Sequence, residues 1–361
     1  MRRDFVRHPS CTIAQPYINF HAARLSNNNP YLCIVRSILI IQTAFFGDVI
    51  LATALVEQLA DAFPEAHIDM LVQKSREVLL ANNPHIRKVL ILDKSKKLRS
   101  TISLIKTIRS QRYDQVVNVH RHGTSGLLTI FSGAKETIGF DAHPLSRFFN
   151  RTIIHQRTEK HEIARNYELI SHMIKDPIKH PKLYPSEADY KRVYEIPAYV
   201  TISPASVWET KRWPVGRWVG LIDKIPEHIK VFLLGGPGDT PLCQSIAEQS
   251  VRPTQVEAGN YSFLESAALM EHAVMNYTND SAPVHMATAM NATVTTIFCS
   301  TIPAFGYGPL SDESHVMETS QQLDCRPCGI HGHMKCPQGH FKCADIEVSR
   351  VFKPLKDRLS S

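Results

Sequence analysis

The stretch "VMNYTNDSAPVHMATAMNATVTTIF" runs from Val274 to Phe298. An apolar run, "VMNYT", halts at the polar tetrad Thr278-Asn279-Asp280-Ser281. A short helix of small residues, "APVHMATAM", follows, and then a β-branched run, "TVTTIF". Both apolar runs are nearly continuous rather than alternating, as in strands buried on both faces of a parallel sheet. The helix between them is the crossover that parallel strands require. Asp280 and Ser281 fall at the N-cap region, and Pro283 suits the first turn. Exposed amides and the helix dipole there make an anion site. His285 lies in the first turn and either faces that anion or packs as an ordinary histidine. The stretch therefore predicts an α/β fold gripping a phosphate-bearing ligand.

The same rhythm extends outward. Upstream, "YVTISP", "PVGRWVGLIDKI", "KVFLLGG" and "FLESAALMEHA" read as strand, helix, strand and helix. A first half opens with the strand "SILIIQ" and the helix "VILATALVEQLADAF". It continues with "HIDMLVQ" (strand), "REVLLANN" (helix), "VLILD" (strand), "LRSTISLIKTIRSQ" (basic amphipathic helix), "YDQVVNVH" (strand), "GLLTIFSG" (helix) and "ETIGF" (strand). Between Asp141 and Tyr199 the regularity weakens around a single predicted helix, "EIARNYELISHMI". Two doubly wound halves are expected, with ligands at the carboxyl ends of their strands. Ser37 to Val56 is long and apolar enough to suggest a membrane span. A central Gly47-Asp48, at roughly 3 kcal/mol for the acid, reads better as strand, loop and helix.

The chain of 361 residues is 43% hydrophobic and 21% charged, with a formal net charge of +7. A mildly basic balance favours anionic partners but lacks the dense patterning of a nucleic-acid binder. No apolar signal core begins the sequence, so a reducing cytoplasm is the expected compartment. Residues 1–36, rich in arginine and containing "SNNNP", read as a disordered or loosely docked extension, or as residues upstream of a true start near Val35. Four of eight cysteines cluster: Cys325, Cys328, Cys336 and Cys343, spaced C-x2-C-x7-C-x6-C, with His331, His333 and His340 interleaved. They suit either a tetrahedral zinc knuckle or a reduced, loop-rich turn.

Three further motifs sit at strand-to-helix junctions. In "TAFFGDVI" (Thr43–Ile50), Gly47 permits a tight turn, and Asp48 either caps the helix or acts as a proton acceptor facing a cleft. The dipole would hold it ionised, at an ordinary pKa of about 4. In "SPASVWETKRWP" (Ser203–Pro214), Ser206, Thr210, Lys211 and Arg212 suit a diphosphate, or form a solvated basic loop over two tryptophans. In "LLGGPGD" (Leu233–Asp239), Gly236 lets a ring approach and Asp239 can accept from ribose hydroxyls, unless this is an ordinary turn.

In chain order, "LIIQTAFFGDVILATALVEQLADAFPEAHIDMLV", "YDQVVNVH…GLLTIFSGAKETIGFD", "SPASVWETKRWPVGRW", "LLGGPGD" and "NDSAPVHMATAMNATVTTIF" resemble the ADP-heptose:lipopolysaccharide heptosyltransferase family, glycosyltransferase family 9, from about Ser37 to the C-terminus, and the tail with "CRPC" resembles a subset of that family. The resemblance implies a GT-B fold, two Rossmann-like domains facing a central cleft. Residues 37–195 would bind the acceptor and residues 196–361 the nucleotide sugar. It implies inverting heptose transfer from ADP-heptose to the lipopolysaccharide inner core, with no cofactor and no metal. Asp48 would be the catalytic base. Ser206, Lys211, Gly236, Asp239, Asp280, Ser281, Ala282 and His285 would bind the donor, and Thr43, Gly47 and His120 the acceptor. Peripheral contact with the inner membrane is expected, with the basic helix Lys94 to Arg112 as a candidate surface. Two departures stand out: Ala44 and Phe45 where many members carry small hydroxyl residues, and Ala282 in place of a common glycine. The alternatives are a family-9 transferase using another nucleotide sugar, a catalytically dead sugar-binding homologue, and a zinc-binding nucleic-acid interaction protein.

Overall fold

Unbroken aliphatic runs form the two strands at the centre of the first half, where both faces are covered. A computed structural model of the chain describes residues 35–157, 159–193 and 196–360. The extension expected over residues 1–36 lies outside the described residues, save for Val35 and Arg36.

In the first half, β1 (Ser37–Gln42) leads into α1 (Phe46–Ala62), β2 (His67–Gln73) and β3 (Ile86–Leu92). Then come α2 (Lys97–Gln111), β4 (Gln115–Asn118), α3 (Thr124–Ile130), β5 (Glu136–Phe140) and β6 (Arg151–Ile153). A connecting region carries α4 (Glu162–Glu168) and α5 (Glu187–Lys191). The second half holds β7 (Tyr199–Ser203), α6 (Val215–Ile222), β8 (Lys230–Leu233), α7 (Thr240–Gln249), β9 (Gln255–Val256) and α8 (Phe263–His272). It ends with β10 (Met275–Asn279), α9 (Ala282–Ala289), β11 (Val294–Phe298), β12 (Ser314–Glu318) and α10 (Val348–Leu359).

Both sheets are six-stranded, with orders β3-β2-β1-β4-β5-β6 and β12-β11-β10-β7-β8-β9. The neighbouring strands pair in parallel. Each half thus follows the doubly wound Rossmann order, reversing between β1 and β4 and between β7 and β10. The apolar span from Ser37 to Val56 is β1 followed by most of α1, and no helix of the described residues is long and apolar enough to cross a membrane.

The halves share one core. Val49, Ile50 and Val56 of α1 belong to the same buried cluster as Ala267 and Met270 of α8 and Met286 and Ala287 of α9. The rings of Phe46 and Phe263 stack at 4.4 Å. The connecting region adds a polar clamp. Buried Arg165 pairs with buried Glu162 at 2.6 Å and donates to the carbonyls of Lys160 (2.7 Å) and Phe305 (2.9 Å).

Several elements differ from expectation. The helix predicted over "REVLLANN" is one 3-10 turn, Glu77–Leu80. Pro84 disfavours helical backbone at Asn83, whose side chain instead accepts from the His85 amide at 2.9 Å. The helix predicted over residues 162–174 ends at Glu168 and continues as turns. The short strands β6, β9 and β12, and helices α5, α7 and α10, were not anticipated.

Candidate active site

The topology decides which loops meet. The loops after β1, β7 and β10 leave the carboxyl ends of strands at the two switch points, where open α/β sheets bind ligands. Together they enclose a cavity of about 190 Å³. The β1–α1 loop contributes Phe45, Phe46, Gly47 and Asp48. The β7–α6 loop contributes Ser206, Trp208 and Lys211. From β10–α9 come Asp280, Ser281, Ala282 and His285.

Asp48 is the third residue of α1, and its carboxylate accepts from the Phe45 amide at 3.2 Å. It therefore caps the helix and faces the cavity at once. The expectation of an ordinary, dipole-stabilised carboxylate is corrected. Burial, followed by the nearby Glu162 carboxylate, pushes its pKa up from 3.8 to about 6, against smaller lowering by the Phe45 amide and Arg121. An acid in that range accepts protons far better near neutrality.

Lys211 Nζ pairs with Asp280 Oδ2 at 2.6 Å, and the same oxygen accepts from Thr301 Oγ1 at 2.6 Å. Of the four polar residues in its loop, Ser206 and Lys211 reach the cavity. Thr210 is buried, accepting from the His333 amide at 2.7 Å, and Arg212 turns to Glu209 and the Ser206 carbonyl. One tryptophan packs beneath the loop as expected: Trp213 is buried edge-on to Trp218. Trp208 instead lines the cavity. Asn279, 0% exposed, ties two of the loops together, accepting from Trp213 N at 3.0 Å and donating to Pro204 O at 2.6 Å.

Ser281 is the N-cap of α9, but its hydroxyl donates to the carbonyls of Ala205 (3.3 Å) and Asn279 (3.4 Å). Ala282 begins the helix and is not among the residues with positive φ, so alanine is accommodated there. His285 is buried, and burial drives its pKa down to about 3, leaving the ring neutral. It can offer a hydrogen bond to an anion but not a charge.

Gly47 is needed for a reason other than a turn. It sits within α1, outside the positive-φ region. A Cβ there would lie 2.7 Å from His285 Cδ2. The glycine thus lets the N-terminal end of α1 close onto α9.

The remaining expected site residues lie elsewhere. Gly236 and Asp239 line neither this cavity nor a second one. Asp239 Oδ2 accepts from Gly236 N at 2.8 Å, stapling its own turn after β8, one strand away from the switch point. Thr43 and His120 bond at 2.9 Å and line the second cavity, of about 280 Å³, which shares the β1–α1 loop.

Sequence reasoning missed one wall of the main cavity. Ile302, Phe305 and Tyr307 come from the loop after β11, and Ile330 and His331 from the cysteine-rich segment. His331 stacks on Trp208 at 6.3 Å and 17°. Gly332, at φ +76°, passes so close to Thr210 that a Cβ would sit 2.8 Å from its hydroxyl. The interleaved histidines were the available signal, but they were weighed only as metal ligands. Among the described residues, no group of three or more His, Cys, Asp or Glu is gathered to hold a metal ion.

Comparison with known proteins extends this geometry. Lipopolysaccharide heptosyltransferase 3 of Escherichia coli K12 is 27% identical over 281 residues, covering 72% of this chain and 82% of its own length. Lipopolysaccharide core heptosyltransferase OpsX of Haemophilus influenzae is 25% identical, covering 72% and 78%. Among solved structures, ADP-heptose lps heptosyltransferase II of E. coli superposes with a TM-score of 0.74 at 21% identity, over 90% of this chain and 98% of that one. These are glycosyltransferases of the GT-B fold. Residues 101–336 match the family described as glycosyltransferase family 9 (heptosyltransferase), and the chain belongs to that family of glycosyltransferases.

Proposed function

We propose that the protein transfers heptose, with inversion, from ADP-heptose to the lipopolysaccharide inner core, using Asp48 as general base. The observation that carries this reading is that Asp48 and the Lys211–Asp280 pair face one cavity from opposite halves of the fold. The acceptor hydroxyl gives its proton to Asp48 as its oxygen bonds to the anomeric carbon. The bond from that carbon to the diphosphate oxygen breaks, and the electron pair leaves with ADP. Lys211, swinging from Asp280 to the diphosphate, and the positive end of α9 stabilise the developing charge. Neutral His285 adds a hydrogen bond. Holding both substrates in one cleft supplies the orientation. In this reading residues 37–195 serve the acceptor and residues 196–361 the donor.

The family membership and the relatives' names support the donor assignment. A donor screen tests it: ADP-heptose, other ADP-sugars and UDP-sugars are offered with a heptose-deficient lipopolysaccharide core. The expected result is a product heavier by one heptose, of inverted anomeric configuration, with ADP-heptose alone. Transfer from a different nucleotide sugar would replace the heptose reading with its family-9 alternative. The cysteine-rich segment, set into the cavity wall, supports a role in the site rather than in nucleic-acid binding.

A cytoplasmic enzyme with peripheral membrane contact completes the proposal. Helix α2 carries lysines and arginines beside exposed Leu98 (76%) and Ile102 (50%). Replacing Lys96, Arg99 and Lys106 by glutamine should weaken sedimentation with anionic vesicles; unchanged sedimentation would refute the surface.

A further inference from the structure

The loop after β11 brings to the main cavity a polar side chain that the proposed reaction does not use. Tyr307 lines that cavity together with Asp48 and His285. Among the described residues its hydroxyl has no hydrogen-bond partner. A phenol packed into an apolar wall normally finds one. Burial, followed by the Glu162 and Asp48 carboxylates, raises its pKa. The group is therefore a neutral O–H at any working pH, able to donate one hydrogen bond and to accept others.

The ring is fixed from several sides. It packs on the buried cluster of Leu51 and Ala54 from α1 and Ile163 from α4. The Arg165 guanidinium lies over it at 5.5 Å, and the His285 ring is 6.2 Å away. The backbone on either side is equally constrained. The carbonyls of Phe305, Gly306 and Gly308 accept from Arg165 (2.9 Å), the Glu162 amide (2.8 Å) and His161 Nε2 (3.0 Å). Gly306 has φ +91°, and a Cβ there would meet the Lys160 carbonyl at 2.3 Å. A side chain held this firmly, with its polar end unpaired, is preorganised for a ligand.

Position identifies that ligand. In the proposed reaction the transferred sugar lies between the diphosphate, held by Lys211 and the start of α9, and the acceptor oxygen at Asp48. Tyr307 comes from the half that holds the donor, yet it packs on Leu51, one turn of α1 beyond Asp48. It therefore borders the gap the sugar must cross. A neutral hydroxyl matches a sugar hydroxyl, whereas a phosphate calls for charged donors. We infer that Tyr307 Oη donates a hydrogen bond to a hydroxyl oxygen of the sugar being transferred, and so selects the donor by its hydroxyl pattern. A donor lacking that hydroxyl would leave the phenol unpaired in a desolvated site. The inference rests on Asp48 being the base and Lys211 the group that receives the diphosphate.

The test crosses one substitution with a set of donors. Tyr307→Phe removes the oxygen and keeps the ring against Leu51 and Ile163. Single-turnover transfer is measured for the wild-type full chain and for Tyr307→Phe, with ADP-heptose and with ADP-heptoses that each lack one sugar hydroxyl. The ratio of the two rates for each donor cancels that donor's own reactivity, and comparing ratios cancels any general loss in the variant. Tyr307→Phe should slow transfer from ADP-heptose about tenfold or more. That penalty should shrink to within about threefold for one deoxy donor, the one lacking the contacted hydroxyl, and persist for the others. A variant within about threefold of the wild type on ADP-heptose, or a penalty of the same size with every deoxy donor, overturns the assignment. The two readings fail differently. No transfer from ADP-heptose by the wild type sinks the proposed function and this assignment with it; normal wild-type transfer with an unimpaired Tyr307→Phe sinks this assignment alone.

Discussion

Asp48 is held by two demands that pull its acidity in opposite directions. As the third residue of α1 it accepts an amide proton, which favours the carboxylate. As a cavity wall beside Glu162 it is desolvated and repelled, which favours the acid, and the second pair prevails. If it is the base, kcat/KM should rise with pH along an acid limb near pH 6, and Asp48→Asn should lower kcat by about 10²–10⁴-fold. Glu162→Gln removes the neighbouring negative charge, so that limb should move to lower pH; a pH–rate profile that does not move contradicts the electrostatic account. Stability follows the same shift. The native pKa lies above the unfolded value, so the native state binds more protons between about pH 4 and 6, and stability falls as pH rises through that window. Asp48→Asn should therefore be more stable than the wild type at pH 7.5, by at most ~3 kcal/mol, and should lose that advantage at pH 4. Urea denaturation at both pH values measures it. None of this was readable from "FFGD", because the neighbour that matters is 114 positions away in sequence.

Among the elements, legibility followed burial. Strands β1, β2, β7 and β11, covered on both faces, announced themselves as aliphatic or β-branched runs. The two-residue β9 and the exposed β6 carry no such pattern, because edge pairing rather than packing defines them. The loop motifs after β1, β7 and β10 could be read as polar residues between a strand and a helix. The turn after β8 looked the same in sequence, yet it stands one strand from the switch point and its acid closes on itself. Gly47 illustrates a contact that local sequence cannot show. Gly47→Ala should cost about 1–3 kcal/mol by overpacking against His285, measured by chemical denaturation. In a His285→Ala background the same substitution should cost little or nothing; an undiminished cost there would mean that His285 is not what the added methyl meets, since alanine is otherwise the better helix former.

At the scale of the whole molecule, two Rossmann sheets are joined by an apolar seam, and buried Arg165 of the connecting region donates across to the Phe305 carbonyl of the second half. The pairing of the halves was foreseeable from the repeated strand–helix rhythm. The cavity wall from the cysteine-rich segment was not, since nothing in "CRPCGIHGHMKC" says that it folds back onto the Lys211 loop. The Glu162–Arg165 pair sits where the connecting region meets the loop after β11. Arg165→Met would leave Glu162 buried without its cation, and should cost about 3–5 kcal/mol in urea denaturation. The Glu162→Gln/Arg165→Met double variant should lose markedly less.

The central claim is that one carboxylate acts on the acceptor across a cavity that binds the donor by other groups. Single-turnover transfer and equilibrium binding of ADP-heptose, followed together in Asp48→Asn, address it most directly. The account predicts donor affinity within about threefold of the wild type and transfer slowed by at least ~100-fold. Transfer at the wild-type rate, or donor binding lost in step with transfer, would contradict it.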